Sequence, residues 1–228
     1  MKTRDRIVLE ARRLYNQLGY ANVSSATLAA HLGIAEGNLW YHFKTKQAIL
    51  TSISEVFSVA VERRLALVPA QGGDIVDDYA ELLHIITQEF REFRFLYRDQ
   101  ADYGGHDEII RKGARGWHER THVQLRIYLN AFAAGGLLDW PEERLADLAI
   151  NATILLRYGL DYAREMGVPI EQGGGAVRST LLRHLTLFEH RLRPEAATRL
   201  RRSIEQIERS SSEMKDRSMD GLELADPR

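Results

Sequence analysis

Two stretches of the chain carry side chains whose types and spacing can do chemistry. His118, Glu119 and His122 spell H-E-x-x-H, the pattern in which two imidazoles four residues apart on a helix bind zinc and the carboxylate activates a bound water. Asn38, Trp40, Tyr41 and His42, with Lys46 just beyond, are amide, aromatic and cationic groups crowded onto one short amphipathic segment. Asn pairs bidentately with adenine, an aromatic ring touches the thymine methyl, and His or Lys meets phosphate. The first set belongs to a metal-binding protein or metallohydrolase, the second to a reader of DNA.

Helical geometry weakens the first. At about 100° per residue, His118 falls beside the Trp117–Leu125 stripe while His122 turns toward Arg115 and Arg126. A third ligand is missing, because neither a downstream Glu on a matched helix nor an H-x-x-G-x-x-H continuation follows. The two histidines are therefore read as surface or pocket groups, with the metal role kept as the alternative. The sequence contains no cysteine, so thiolate metal sites, disulfides and cysteine nucleophiles are excluded. No serine sits in a G-x-S-x-G turn. No enzyme, metal or cofactor is expected.

The second set needs two helices and a sharp turn to position it. Ser24 is a suitable N-cap for a short helix whose buried face is Leu28, Ala29 and Leu32. Gly33 follows the last periodic residue, where a left-handed backbone costs glycine nothing, and Ile34 can plug the angle between two helices. A second helix over 36–43 puts Leu39 and Phe43 on one face and leaves Asn38, Trp40, Tyr41 and His42 around the remainder. A helical hairpin with a Trp-Tyr-His core corner would use the same residues. Ahead of it, Ile7, Ala11, Leu14 and Leu18 define a bracing helix that Gly19 ends. Lys2, Arg4 and Arg6 either follow a phosphate backbone or solvate a helix start. Residues 1–50 carry seven Lys/Arg against three Asp/Glu, so the overall charge of -1 hides a basic front suited to phosphate contact.

The remainder reads as helices punctuated by glycine and proline. Ile49, Ile53, Phe57 and Ala60 stripe a helix running toward Pro69, and Asp74 caps another built on Ile75, Tyr79, Leu82, Leu83, Ile86 and Phe90. Residues 90–105 are aromatic-rich and end in two glycines; Phe93, Phe95, Leu96 and Tyr97 fit a core there. A long helix over 107–134 stops at Gly135-Gly136, further helices are expected over 142–166 and 176–190, and Pro194 opens a last one. The polar stretch 210–228 is expected to be disordered. With no strand pattern or internal repeat, the fold class is all-α with about nine or ten helices. It divides into a helix-turn-helix DNA-binding domain at 1–47, a larger helical effector-binding and dimerisation domain at 48–209, and the tail. No apolar run reaches membrane-spanning length and the N-terminus lacks a signal-peptide core, so a cytoplasmic protein is expected.

The first fifty residues resemble the N-terminal domain of TetR-type transcriptional regulators. The likeness runs from Thr3, Arg4 and Ile7 through Ala11, Leu14, Tyr15, Gly19 and Tyr20. It continues with Ser24, Leu28, Ala29, Gly33, Ile34, Gly37, Leu39, Tyr41, His42, Phe43, Lys46 and Leu50. It implies Ser24 and Ser25 at the DNA backbone, Gly37, Asn38 and Trp40 at or near base edges, and Tyr41, His42 and Lys46 at phosphates. Three residues depart from the pattern: Ala35 stands where Ser or Thr usually caps the recognition helix, Trp40 replaces a Tyr, and Ala26 lacks a guanine-reading basic group. Glu36 suits the helix dipole but repels DNA unless it accepts from a cytosine amine.

A homodimeric repressor on a palindromic operator is expected, because one recognition helix reads only a few base pairs. Helices 142–166 and 176–190 would form its interface, with Ala149, Ala152 and Gly159 packing closely beside Leu181, Leu185 and Phe188; an intramolecular core would use those residues equally well. A small-molecule effector would contact Phe93, Tyr97, Tyr103, Trp117, His118, Asn151, Arg157 and Tyr158. A filled core accounts for many of the same aromatics.

Overall fold

A computed structural model of the 228-residue chain describes residues 2–103, 107–170 and 175–207. The glycines at 104–105 and 173–174 and the tail 210–228 lie outside the described residues. In order, the α-helices are α1 (Thr3–Leu18), α2 (Ser25–Leu32), α3 (Glu36–His42), α4 (Lys46–Leu65), α5 (Ile75–Glu92), α6 (Arg94–Arg98), α7 (Gln100–Tyr103), α8 (Glu108–Ala134), α9 (Leu145–Glu165), α10 (Ala176–Leu185) and α11 (Pro194–Gln206). Strands are absent among the described residues, apart from one isolated bridge between Leu138 and Leu192. The all-α class holds.

Local chemistry sets the helix ends. Asp74 Oδ1 accepts the Val76 amide at 2.9 Å at the start of α5, and Gly136 adopts φ 66° just after α8, where a left-handed residue closes the helix. The helix expected to begin at 142 starts instead as a single 3-10 turn, Glu142–Arg144, and becomes α-helical at Leu145. The aromatic-rich stretch breaks into the short α6 and α7 rather than continuing α5.

Two compact units emerge, Met1–Ala66 with Gln88–Arg120, and Leu67–Thr87 with Thr121–Arg228. The first is larger than the 1–47 head: α4, α6, α7 and the first half of α8 share its core, which includes Ile7, Tyr15, Leu39, Phe57, Phe93, Phe95 and Tyr103. A three-helix head of this size buries little apolar surface by itself, so added packing stabilises it.

In the second unit, Tyr79 sits among Tyr128, Phe132, His184 and Phe188, with ring centroids 5.5–6.2 Å away. Ala149, Ala152, Leu181, Leu185 and Phe188 are all fully buried in this unit. A Cβ on Gly159 would lie 2.3 Å from Thr180 Cγ2, so glycine lets α9 and α10 approach within one chain. The small-residue stripe expected at a dimer interface thus belongs to the intramolecular core. Another face of α9 carries exposed Ile150, Ile154, Tyr158, Tyr162 and Met166, spaced four apart along one stripe.

Candidate nucleic-acid interface

Ser24 caps α2 by accepting the Thr27 amide at 3.0 Å, satisfying one of the first-turn donors that helix geometry orphans. At the other end Gly33 adopts φ 67° and ψ 33°, and the Ile34 amide reaches back to the Ala29 carbonyl at 3.1 Å. This closing turn aims the chain into α3. Leu39 and Phe43, 0% and 3% exposed, anchor α3 to the core. Ala35 offers no side-chain cap, so α3 begins without one. Its seven residues end where Phe43 turns extended, and Thr45 then caps α4 by accepting the Ala48 amide at 3.0 Å.

The anchoring fixes what α3 presents. Glu36, Gly37, Asn38 and Tyr41 are exposed, while Trp40 and His42 are half-buried. Tyr41 is 78% exposed, its ring edge-on to His42 at 5.2 Å. Ser24 is exposed and Ser25 half-buried at the start of α2.

The cations behave differently from the basic front that the sequence suggests. Lys46 donates to the Tyr20 carbonyl and stands 4.1 Å over the Tyr20 ring. Burial lowers its pKa below the ordinary lysine value, and the Asp102 charge acts in the opposite sense. Arg4 donates to Ser52 Oγ at 2.9 Å and lies over the Phe43 ring, while Arg6 donates to the Leu32 carbonyl at 3.1 Å. Both arginines remain exposed while making these bonds. Lys2 and Lys44 are exposed.

The effector candidates divide between the units. In the first, Phe57 is a hub that the sequence offered only as part of a helix stripe. It contacts Phe93, Tyr97 and Trp117 at centroid distances of 5.1, 5.5 and 5.3 Å. His118 lies 6.3 Å from Tyr97. Beside this cluster runs a buried ion pair missed in the sequence, with Arg64 Nε 2.9 Å from Glu89 Oε2 and the Tyr97 hydroxyl donating to Glu89 Oε1 at 3.0 Å. Hydrophobic periodicity carries no signal for such a pair. Tyr103 packs instead against Tyr20 and Phe95. In the second unit, Asn151 lines a cleft of about 310 Å³ with Trp140, Leu148, Leu187 and His190, whereas Arg157 stacks on the exposed Tyr158 ring. Glu119 of the H-E-x-x-H stretch is exposed and paired with Arg115 at 2.8 Å. Among the described residues no three His, Asp or Glu side chains gather as a metal site, and no helix is long and apolar enough to cross a membrane.

Comparisons with known proteins converge on one family. Residues 7–53 match the model described as bacterial regulatory proteins, tetR family, and residues 53–200 match the one described as bacterial transcriptional repressor. The tetracycline repressor protein class A from transposon 1721 of Escherichia coli is 28% identical over 179 residues, 78% of this chain and 76% of that protein. Among solved structures, a TetR-family transcriptional regulator from Marinobacter aquaeolei VT8 superposes with a TM-score of 0.75 at 24% identity, covering 91% of this chain and 99% of that one. A putative transcriptional regulator from Saccharomonospora viridis in complex with choline shares the fold with a TM-score of 0.60 at 19% identity, over 83% of this chain and 96% of that one. The two matched segments together span the helix-turn-helix and the helical body behind it, so the chain belongs to the TetR family of DNA-binding transcriptional regulators modulated by ligand.

Proposed function

We propose that the chain is a homodimeric repressor that reads a palindromic operator with residues 1–47 and answers to a small molecule bound by the helical body, 48–209. The observation that carries this is α3: Leu39 and Phe43 bury one side of it, and Glu36, Asn38 and Tyr41 stand free on the other. Asn38 is assigned to a base edge, Tyr41 and His42 to the backbone, and Ser24 and Ser25 to phosphates beside the first helix of the motif. Glu36 is tolerated beside phosphate only opposite a donor such as a cytosine amine. For the dimer, the exposed stripe Ile150, Ile154, Tyr158 and Tyr162 on α9 supports a face shared by two copies. Arg183 of α10 extends it by stacking over the Tyr162 ring at 5.3 Å. A two-fold pairing of such faces brings two recognition helices to successive half-sites. The effector is assigned to the aromatic cluster of Phe93, Tyr97, Trp117 and His118, where rings supply apolar contact. One E. coli relative is named for tetracycline, which supports a small organic molecule as the class.

Selection from random double-stranded DNA, with sequencing of the retained fraction, tests the reading. Enrichment of two inverted half-sites is expected, and Asn38→Ala should relax one position in each half-site, with about 1–3 kcal/mol of discrimination lost there. Retention without any enriched sequence would overturn it.

A further inference from the structure

Two segments of the second unit close on one another through a single bridge. Leu138 and Leu192 pair antiparallel, with the Asp139 amide donating to the Arg191 carbonyl at 2.9 Å and the Arg193 amide to the Leu137 carbonyl at 2.8 Å. Two residues from the bridge on each segment stand Trp140 and His190, positions that antiparallel pairing sets opposite one another. Their ring centroids are 6.3 Å apart with the planes at 66°. Each segment then runs into a 3-10 turn, Glu142–Arg144 before α9 and Glu189–Arg191 after α10. The cleft of about 310 Å³ lies where they part, with Trp140, Pro141, Leu148 and Leu187 as its apolar wall. Its volume falls within the range of about 300–1,000 Å³ that holds small organic molecules.

The polar groups around the cleft suit an acceptor. Trp140 Nε1 is shut off from solvent and has no hydrogen-bond partner among the described residues, an unfavourable state for a donor that a ligand oxygen would relieve. Arg144 and Arg191 both line the cleft. Arg144 holds Asp147 Oδ2 through Nε at 3.1 Å, and Arg191 reaches Asp139 Oδ2 through Nη1 at 3.4 Å. The Asp139 side chain is 92% exposed, so that pair contributes little and Arg191 can exchange it for a carboxylate held out of water. A guanidinium carries five donors in a fork that grips a carboxylate through two of them. Asp147 is the one carboxylate among the lining residues, and its Arg144 partner already neutralises it. An anion is therefore matched here, whereas a cation would find no unpaired carboxylate in the lining.

We propose that this cleft is a second small-molecule site, one that takes an aromatic carboxylate with its ring against Trp140 and the leucines and its oxygens accepting from Arg191 and Trp140 Nε1. The site shares no residue with the aromatic cluster of the first unit, and it stands on the geometry of the second unit alone, whatever the head binds.

Titration of the full-length protein with cinnamate, followed by the indole N–H signals in proton–nitrogen correlation spectra, tests this. The signals come from Trp40, Trp117 and Trp140, and Trp140→Phe identifies the third. Cinnamate should move the Trp140 signal saturably and leave that of Trp117 in place. Arg191→Gln should weaken the binding by about tenfold or more, the loss expected for a charge-assisted hydrogen bond. Cinnamyl alcohol, which has the ring without the charge, should bind wild type about as weakly as cinnamate binds Arg191→Gln. A Trp140 signal that stays still up to millimolar cinnamate overturns the site, and so does movement of the Trp117 signal alone. Equal affinity for the acid and the alcohol, or an affinity unchanged in Arg191→Gln, overturns the assignment of the ligand as an anion. No DNA enters the measurement, so failure of the repressor reading would leave these outcomes as they are.

Discussion

Mild acid is expected to loosen the second unit through His184, which is fully buried on α10 with Nε2 2.8 Å from the Tyr79 hydroxyl. Its Nδ1 has no hydrogen-bond partner, and burial pushes its pKa down to about 3. An unfolded histidine titrates near 6.5. Because the folded value is depressed, the unfolded chain takes up the proton first as the pH falls, and stability drops through the window from about 6.5 toward 3. One proton taken up only by the unfolded state costs about 1.4 kcal/mol per pH unit. Between pH 7 and pH 5 that amounts to about 2 kcal/mol, or roughly 4–8 °C in melting temperature for a chain of this length.

Urea unfolding of wild type and His184→Gln at pH 7, 6 and 5 isolates the effect, since other titrating groups cancel in the difference. The variant should be the less stable protein at pH 7, because it disturbs a packed core and the Tyr79 hydrogen bond. The gap should then narrow by about 2 kcal/mol at pH 5. A gap that stays constant across this range would show that His184 is protonated in the folded protein or reached by water, and would refute the reasoning from burial.

Two further outcomes follow from the packing. Arg64→Met or Glu89→Gln should each destabilise the first unit by about 3–5 kcal/mol by stranding a buried charge or donor, whereas Arg64→Met/Glu89→Leu together should recover much of the loss in urea titrations; additive losses would show that the two do not act as one unit. The chain has no native cysteine, so Tyr158→Cys should give a covalent dimer on mild oxidation while Val59→Cys, the more exposed position on α4, should not; cross-linking at neither site would count against α9 as the shared face.

What could be read from the sequence was whatever short-range chemistry decides. Ser24, Gly33 and Asp74 act on amides within a few residues, and their roles as caps and turn follow from residue type alone. Periodicity likewise found the buried stripes of α1 and α2, apart from Leu18, which ends α1 48% exposed, because a core-facing helix repeats whatever it packs against. It could not name the partner. Ala149, Ala152, Leu181 and Leu185 are buried by their own chain, and the sequence pattern is the same whether the covering helix is internal or comes from a second copy. Helix α9 carries a second apolar stripe at Ile150, Ile154, Tyr158 and Tyr162, and two stripes on one helix blur into one broad hydrophobic pattern.

Long polar side chains were the least legible, for a related reason. Lys46, Arg64, Glu89 and Arg98 look solvated in a sequence, yet each reaches several ångströms to a partner fixed by tertiary structure. Of the cations that give the first fifty residues their positive balance, Arg4, Arg6 and Lys46 are engaged within the head, Arg13 pairs with Glu10, and Arg12 pairs with Glu92 while covering the Phe93 ring. Only the bond to Glu92 adds a carboxylate from outside the first fifty residues; hydrogen bonds to hydroxyls and carbonyls leave the other positive charges in place, so the fold fixes where they sit without removing their attraction for a polyanion. The groups on α3 that the fold leaves exposed, the Asn38 amide and the Tyr41 phenol, add neutral hydrogen-bonding surface beside this charge. In the proposed reading Asn38 meets a base edge and Tyr41 the backbone, so the amide carries the selectivity while the phenol and the charges fix the register.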